Sequence, residues 1–369
     1  MTSLCLCMIV RDEVGAVEDC IASVRDLIDY WVICDTGSVD KTPEVVEQQL
    51  AGIPGELHHD VWQDFGHNRS LLLERARGKA DYLLLMDADW TLEAVPGAFE
   101  GLTADSYMVV HAGVVEFKNK RLVKGSLDWH YEGVTHEFIT SPQERTCEQL
   151  EGVSIRIESI GGSRTGRWER DKQLLQEQLE REPDNSRAAF YLAQTHRDLG
   201  ELEAAAGLYE RRAKMGGWDE EVYCSLMQAG TLRSGLDEWP QALALLVAAF
   251  EHRPARLEAL YELTSRLRMR GHYESAYLYA SRGLDREVPA DLLFVQPWIY
   301  KWGMLFEFSI SAYWTGHTVQ ALDACNKLLQ MTDLPEIYQK QTLENRRFCE
   351  ERLAANRLER PLTGSSTLR

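Results

Sequence analysis

The chain changes its hydrophobic rhythm near its middle. In the first half, short apolar runs alternate with amphipathic stretches, the pattern of a layered α/β fold. Leu4–Val10 is an unbroken apolar run of strand length, residues 14–28 carry apolar positions at helical spacing, and residues 30–34 form a second strand that runs into Asp35-Thr36-Gly37-Ser38. Residues 42–50 and 68–76 read as further helices. Residues 81–86 read as a strand ending in Asp87-Ala88-Asp89, followed by a short helix over 91–98. Strand, helix, strand in this order predicts a Rossmann-like, mostly parallel sheet with crossover helices.

From Trp168 to about residue 358 the strand signals vanish and helical periodicity takes over, broken at Pro183, Gly216-Gly217, Gly235, Pro254, Gly271, Pro289 and Gly316. A glycine followed five positions later by alanine recurs as Gly200/Ala205, Gly271/Ala276 and Gly316/Ala321, with Asp237/Ala242 as a variant. The alanines are spaced by 37, 34 and 45 residues, close to the ~34-residue period of tetratricopeptide helix-turn-helix repeats. The longest spacing implies an insertion around residues 294–302. An irregular helical bundle is the alternative. Gly161-Gly162-Ser163 marks the expected junction, giving an α/β domain over 1–165 and an all-α, tetratricopeptide-like domain over 166–369.

Composition narrows this picture modestly. With 369 residues, 44% hydrophobic and 27% charged, the chain is long enough for two globular domains. The formal net charge of −18 disfavours a protein that blankets nucleic acid or an anionic membrane. Residues 1–165 hold −14 of it, from 14 Lys and Arg against 28 Asp and Glu. The dense basic run within that half, Lys118, Lys120, Arg121 and Lys124, reads as a solvated hairpin loop, with contact to an anionic ligand as the other reading. The eight cysteines are scattered and read as reduced core thiols. No run approaches the ~20 apolar residues of a membrane span, and residues 1–10 lack the flanks of a signal peptide. The expectation is a cytoplasmic protein without a membrane partner.

Asp87-Ala88-Asp89 is the sharpest chemical feature. Two carboxylates on alternate residues at a strand's carboxyl end can converge on one divalent cation, and oxygen ligands suit Mg²⁺ or Mn²⁺, with a diphosphate supplying further ligands. Open α/β sheets gather ligands at that edge. An acidic turn capping the next helix is the plain alternative. Two other predicted strand ends carry Arg11-Asp12-Glu13 and Asp35-Thr36-Gly37-Ser38-Val39-Asp40-Lys41-Thr42, and the stretch Trp62-Gln-Asp-Phe65-Gly-His-Asn68-Arg69 precedes the strand that ends in D-x-D.

In this series the chain resembles the family-2 inverting glycosyltransferases of the GT-A fold, whose first strand ends in N/R-D/N-E and continues through D-x-G-S-x-D-x-T to a D-x-D. The resemblance covers roughly residues 1–140. With helical repeats behind it, the chain is similar to a bacterial class that includes S- and O-glycosyltransferases acting on ribosomally made peptides. The resemblance implies UDP-sugar as donor, with Asp35 at the uracil, Arg11 and Glu13 framing base and ribose, Arg69 near the diphosphate, and Asp87 and Asp89 holding the donor through ribose and metal. Trp129-His130-Tyr131-Glu132-Gly133-Val134-Thr135-His136-Glu137 resembles the family's W-x-Y-x-G-x-x-H-E segment. It implies Trp129 and Tyr131 as an aromatic shelf for the sugar or acceptor, Glu137 as the general base with Asp128 and Glu132 behind it, and His136 as a metal or phosphate neighbour. Related chains often place a histidine just before the Gly-Gly-Ser junction; this one has none, which leaves the third protein metal ligand open.

The expected activity is therefore hexose transfer from a UDP-sugar, assisted by Mn²⁺ or Mg²⁺. A peptide or protein acceptor is favoured because helical repeats bind extended chains. Alternatives are a modified DNA base, a glycan or a small metabolite, the DNA reading leaning on Arg266, Arg268, Arg270, Arg346, Arg347 and Arg352. A non-catalytic repeat scaffold carrying a dead sugar-nucleotide fold is a third reading. Trp298, Tyr300, Trp302 and Trp314 could line an acceptor groove, with core packing favoured for most of them. Self-association through the helical domain stays open.

Overall fold

The computed structural model describes residues 2–112, 117–157 and 166–358, so the expected Gly161-Gly162-Ser163 junction lies outside the described residues. The chain divides into two compact units, residues 1–183 and 184–369. The expected boundary near residue 165 thus falls eighteen residues early, because helix α4 (Arg167–Arg181) belongs to the first unit. There the Arg170 guanidinium lies over the Phe65 ring at 5.1 Å.

In the first unit β1 (Leu4–Val10), α1 (Val17–Val24), β2 (Tyr30–Asp35), α2 (Thr42–Gln49), β3 (Gly55–His59), α3 (Phe65–Ala76) and β4 (Tyr82–Leu85) follow in order. The pattern over residues 14–28 yields only α1 and a 3-10 turn, Arg25–Leu27. Then come β5 (Trp90–Ala94), β6 (Ser106–Ala112), β7 (Phe117–Lys124), the short pair β8 (His130–Glu132) and β9 (Phe138–Thr140), and β10 (Cys147–Ile157). One eight-stranded sheet has the order β3-β2-β1-β4-β7-β6-β10-β5. Its β3-β2-β1-β4 half is parallel, and β7 joins β4 and β6 antiparallel.

Alternation along β1 explains the continuous apolar run: Leu4, Leu6, Met8 and Val10 pack in one core with α1 and α2 residues, while Cys5 and Cys7 pack in another with Leu72 and Leu73 of α3. Both faces of the strand are covered, so both sets of side chains are apolar. The buried cysteines Cys5, Cys7, Cys20 and Cys34 are free thiols of these cores.

Two expectations fail here for one reason. The helix expected over 91–98 is instead β5, where Trp90 and Leu92 are buried and Thr91 and Glu93 face outward, a period of two. Pro96-Gly97 ends the run before a helix turn can form. The basic stretch 118–124, expected as a solvated loop, is β7, whose Leu122 and Val123 are fully buried between β4 and β6. β3 was not anticipated; Gly-Glu-Leu-His-His offers no apolar run, and it pairs at the sheet edge.

The second unit stacks helical hairpins α5/α6 (Ser186–Asp198, Leu202–Lys214), α7/α8 (Asp219–Gly235, Trp239–His252), α9/α10 (Glu258–Met269, Tyr273–Arg282) and α11/α12 (Met304–Trp314, Thr318–Leu329), closed by α13 (Glu336–Leu358). The glycine-alanine signature has a simple cause. Gly200, Gly271 and Gly316 take φ of +79°, +79° and +82° in the hairpin turns, and the variant Asp237 takes +62° in the equivalent place. Ala205, Ala242, Ala276 and Ala321 are fully buried in the helices that follow. Of the aromatics, Trp302 is buried, Trp298 packs edge-on to Tyr261, and the Tyr300 hydroxyl accepts the Leu257 N–H. Trp314 stays exposed, stacked on Tyr273.

A left-handed turn costs a β-carbon about 1–2 kcal/mol, and nothing crowds Gly271. Gly271→Ala should therefore lower the stability of the repeat unit by about 1 kcal/mol in urea denaturation, whereas Asp237→Gly should raise it or leave it unchanged.

Candidate functional site

The carboxyl ends of β1, β2 and β4 meet at one edge. Asp12, in the left-handed region at φ +54°, donates its N–H to Ser38 Oγ at 3.0 Å and accepts the Val39 N–H at 2.7 Å. The Glu13 N–H donates to Thr42 Oγ1 at 2.8 Å, and Thr42 in turn donates to Asp40. The two sequence segments after β1 and β2 are thus stitched into one surface, in which Asp12, Ser38, Asp40 and Thr42 are builders. Asp35 is buried; its carboxylate accepts the Ser38 N–H at 3.1 Å and sits 3.3 Å from His59 Nδ1.

After β4, the Trp90 N–H donates to the Asp87 carbonyl at 3.1 Å, closing the Asp87-Ala88-Asp89-Trp90 turn. Ala88 is buried and the two aspartates flanking it are half-buried. Arg69 on α3 reaches this turn: its Nη2 donates to Asp87 Oδ1 at 2.6 Å, and its Nε lies 2.8 Å from Glu137 Oε1. Burial opposes the Arg69 charge, but the Asp87 and Glu137 carboxylates outweigh it and hold the guanidinium above its ordinary value. Burial pushes the Glu137 carboxyl up, against the opposing pull of Arg69. The Tyr131 ring lies 5.7 Å from the same guanidinium.

Gly66 explains how α3 comes so close. A β-carbon there would sit 2.1 Å from the Gly133 carbonyl oxygen, and the neighbouring Phe65 N–H donates to the Val134 carbonyl at 3.1 Å. The first turn of α3 is therefore pressed against the segment that carries Glu137.

A cavity of about 740 Å³ opens over this edge, within the range of nucleotide-sized ligand sites. Arg11, Glu13, Thr36, Arg69, Asp87 and Asp89 line it, with an aromatic wall of Trp62, Phe65 and Trp90 and two cations from α4, Arg167 and Arg170. Both α4 arginines face the buried Asp171, at 3.6 and 3.4 Å.

Of the expected residues, Asp35, Tyr131 and Glu137 lie behind the cavity lining, the last two against Arg69, and four others are not drawn into this cluster. Asp128 is exposed and pairs with Arg77, beyond the far end of α3; a helix of twelve residues is ~18 Å long, so it sits near the opposite edge from Arg69. Glu132 is exposed and faces His130, because strand alternation in β8 turns 130 and 132 away from Tyr131. Trp129 is a core residue, packed with Val123 and Ile139, its Nε1 donating to the Lys124 carbonyl. His136 is half-buried at φ +52° and does not line the cavity.

Arg167, Arg170 and Gly66 were missed, and Arg121 was named only within a basic run read chiefly as a solvated loop. Arg121, on the strand read as a loop, has its guanidinium carbon over the Trp90 ring, 4.3 Å from its centre, and its Nε donates to His111 Nε2 at 3.3 Å. Burial, and then the Arg121 charge, push His111 down to about 4, so it accepts as the neutral ring. Only strand periodicity at Leu122 and Val123 hinted at this placement. The arginines of the expected basic groove are mostly neutralised: Arg266 pairs with Glu262, Arg268 with Glu307, Arg346 with Glu350 and Arg347 with Glu351.

Among the described residues no three His, Cys, Asp or Glu side chains gather around one point. Asp87 and Asp89 still fit a hard cation of the Mg²⁺ type, which commonly takes one or two carboxylates and completes its shell with phosphate and water. Gly66→Ala should force α3 away from Gly133 and cost about 1–3 kcal/mol in chemical denaturation of the first unit; a variant as stable as the parent would contradict the close approach.

Residues 5–164 match the Glycosyl transferase family 2 profile. A TPR repeat-containing protein of Synechococcus elongatus is 28% identical over 309 residues, covering 75% of this chain and 74% of that one. Among solved structures, MamA superposes with a TM-score of 0.36 at 16% identity, over 52% of this chain and 92% of that one. The C-terminal part of a TPR repeat-containing protein from Cytophaga hutchinsonii superposes at 0.41 and 12% identity, over 51% and 68%. No helix among the described residues is long and apolar enough to cross a membrane. Family profile, sheet-edge geometry and stacked hairpins agree: the chain carries a family 2 glycosyltransferase domain at its N-terminal end, followed by tetratricopeptide-like helical repeats.

Proposed function

We propose that this domain transfers a hexose, with inversion, from a UDP-sugar to a peptide or protein side chain, with Mn²⁺ or Mg²⁺ bound at Asp87 and Asp89. The observation that carries this reading is the arrangement at the cavity: two aspartates at the end of β4, one of them tied through Arg69 to the buried Glu137. Glu13 and Arg11 line the cavity and offer polar groups for base and ribose, with Asp35 buried behind them at the end of β2. Arg69, Arg167 and Arg170 supply positive charge to the diphosphate side of the same cavity. A divalent cation, when bound, would neutralise charge developing on the leaving diphosphate. The Trp62 and Phe65 rings, edge-on at 4.8 Å, provide an apolar wall that excludes water.

Inversion needs a base for the acceptor's proton. Of the three carboxylates considered, Glu137 alone shares a partner with Asp87. Arg69 fixes its direction and opposes, without cancelling, the rise in proton affinity that burial causes. The peptide acceptor rests on the repeats, a fold suited to extended chains. Of the six arginines behind the DNA alternative, Arg266, Arg268, Arg346 and Arg347 each pair with a glutamate, which favours the peptide reading.

Incubation with a panel of UDP-sugars, Mn²⁺ and candidate peptides, read by intact mass and UDP release, should show transfer that chelation abolishes. Asp89→Ala should lower turnover about 10²-fold or more without altering the unfolding midpoint; full activity in that variant sinks the assignment. For a base that must be ionised, turnover falls as pH drops through its raised value. The acid limb should therefore lie above ~4.3, the ordinary glutamate value, and Glu137→Gln should remove the limb and lower kcat about 10²–10⁴-fold.

A further inference from the structure

Strand β7 carries one residue more than β6 can pair. Tyr107 of β6 faces Leu122 and the next residue, Met108, faces Lys120, so Arg121 is skipped and bulges from the ladder. A bulge interrupts the ladder and re-aims one side chain, and bulges are frequent beside active sites. This one falls just past the pair Leu84 and Leu122, where pairing with β4 stops and the chain of β4 runs on toward Asp87.

The guanidinium so aimed is held by uncharged groups. Its carbon lies over the Trp90 ring, and its Nε donates to His111 Nε2 at 3.3 Å. His111 is itself fixed, edge-on to Trp90 at 4.9 Å and stacked on Phe117 at 4.6 Å. As a neutral ring it positions the cation without balancing its charge. Among the described residues Arg121 has no carboxylate within ion-pair distance, and its two terminal nitrogens have no hydrogen-bond partner, although the side chain is half-buried. The cations that line the cavity differ: Arg69 has Asp87 and Glu137, Arg167 and Arg170 share Asp171, and Arg11 lies 3.9 Å from Asp12. Burial accordingly pulls Arg121 below the ordinary guanidinium value, whereas its two carboxylates hold Arg69 above it.

A cation withdrawn from water without a counter-charge is costly. The two unpartnered nitrogens form a fork that matches a carboxylate. The groups whose charges reach Arg121 are Tyr131, Asp87, Arg69 and Glu137. On the transfer reading the metal-bound diphosphate sits at Asp87 and the base is Glu137, so the group between them is the transferred sugar.

We propose that Arg121 is a specificity residue that receives a carboxylate on the transferred sugar, so that the preferred donor is a UDP-hexuronic acid rather than a neutral UDP-hexose. This inference rests on the transfer reading and narrows its donor.

Calorimetric titration of the full chain with UDP, UDP-glucose and UDP-glucuronic acid, all with Mn²⁺, tests it. The parent should bind the acidic sugar at least about tenfold more tightly than the neutral one, the size of a charge-assisted contact. Arg121→Gln should bring the two to equal affinity. Equal or inverted affinities in the parent overturn the proposal without any variant, as does a preference that survives in Arg121→Gln at the parent's unfolding midpoint. If that variant is destabilised, Arg121→Lys, which keeps the charge but not the fork, should lose most of the preference, and its full retention counts against the proposal equally. UDP separates the two claims. No binding of UDP ends the transfer reading and this inference with it, whereas UDP bound with no preference between the sugars ends this inference alone.

Discussion

One buried guanidinium organises the sheet edge at the ends of β1, β2 and β4. Arg69 spans two carboxylates that arrive from different parts of the chain, Asp87 from the end of β4 and Glu137 from the segment before β9. Without it, two acidic groups would share a partly desolvated place, and one would have to take up a proton or turn to water. With it, Asp87 and the proposed base Glu137 hold a fixed relation before any ligand arrives. Such preorganisation is where electrostatic catalysis draws most of its strength. Gly66 is the companion constraint, since no other residue lets α3 approach Gly133 closely enough for Arg69 to reach both partners.

Much of this edge was legible because strand ends announce themselves. The apolar runs of β1, β2 and β4 stop at charged and turn-forming residues, and the carboxylates there had to emerge at one side of a parallel sheet. The repeats were legible for a similar reason: a positive φ in each turn and a buried alanine five residues on leave a period that survives even where Asp237 replaces glycine. Legibility failed where charge masked periodicity. Lys118, Lys120, Arg121 and Lys124 made a central strand look like a loop, and with it hid the placement of Arg121 over Trp90. The W-x-Y-x-G-x-x-H-E segment misled differently. Its motif spacing was sound, but β8 alternation sends Trp129 into the core and Glu132 to solvent, and sequence proximity to Glu137 says nothing about facing.

The two units contribute different physics. The first builds a charged, half-buried edge on a rigid sheet, where ligand oxygen atoms can meet cations and carboxylates in fixed places. The second spends its charged groups inward: Arg256 and Glu258 are fully buried, paired at 2.8 Å, and turned toward a strap of the chain's own backbone. The acidity of the whole molecule thus says little about partners. Most of it is spread over residues 1–165, while the cavity itself is lined by four carboxylates, Asp12, Glu13, Asp87 and Asp89, and four arginines, Arg11, Arg69, Arg167 and Arg170, and the repeat unit is close to neutral.

A crystal structure grown with UDP and Mn²⁺ tests the central claim most directly, with the metal located by its anomalous signal. The account predicts the cation on Asp89, alone or with Asp87, the diphosphate on the arginine side of the cavity, and the Arg69 contacts to Asp87 and Glu137 intact. Nucleotide bound away from the ends of β1, β2 and β4, or Arg69 parted from both carboxylates in the complex, would contradict it.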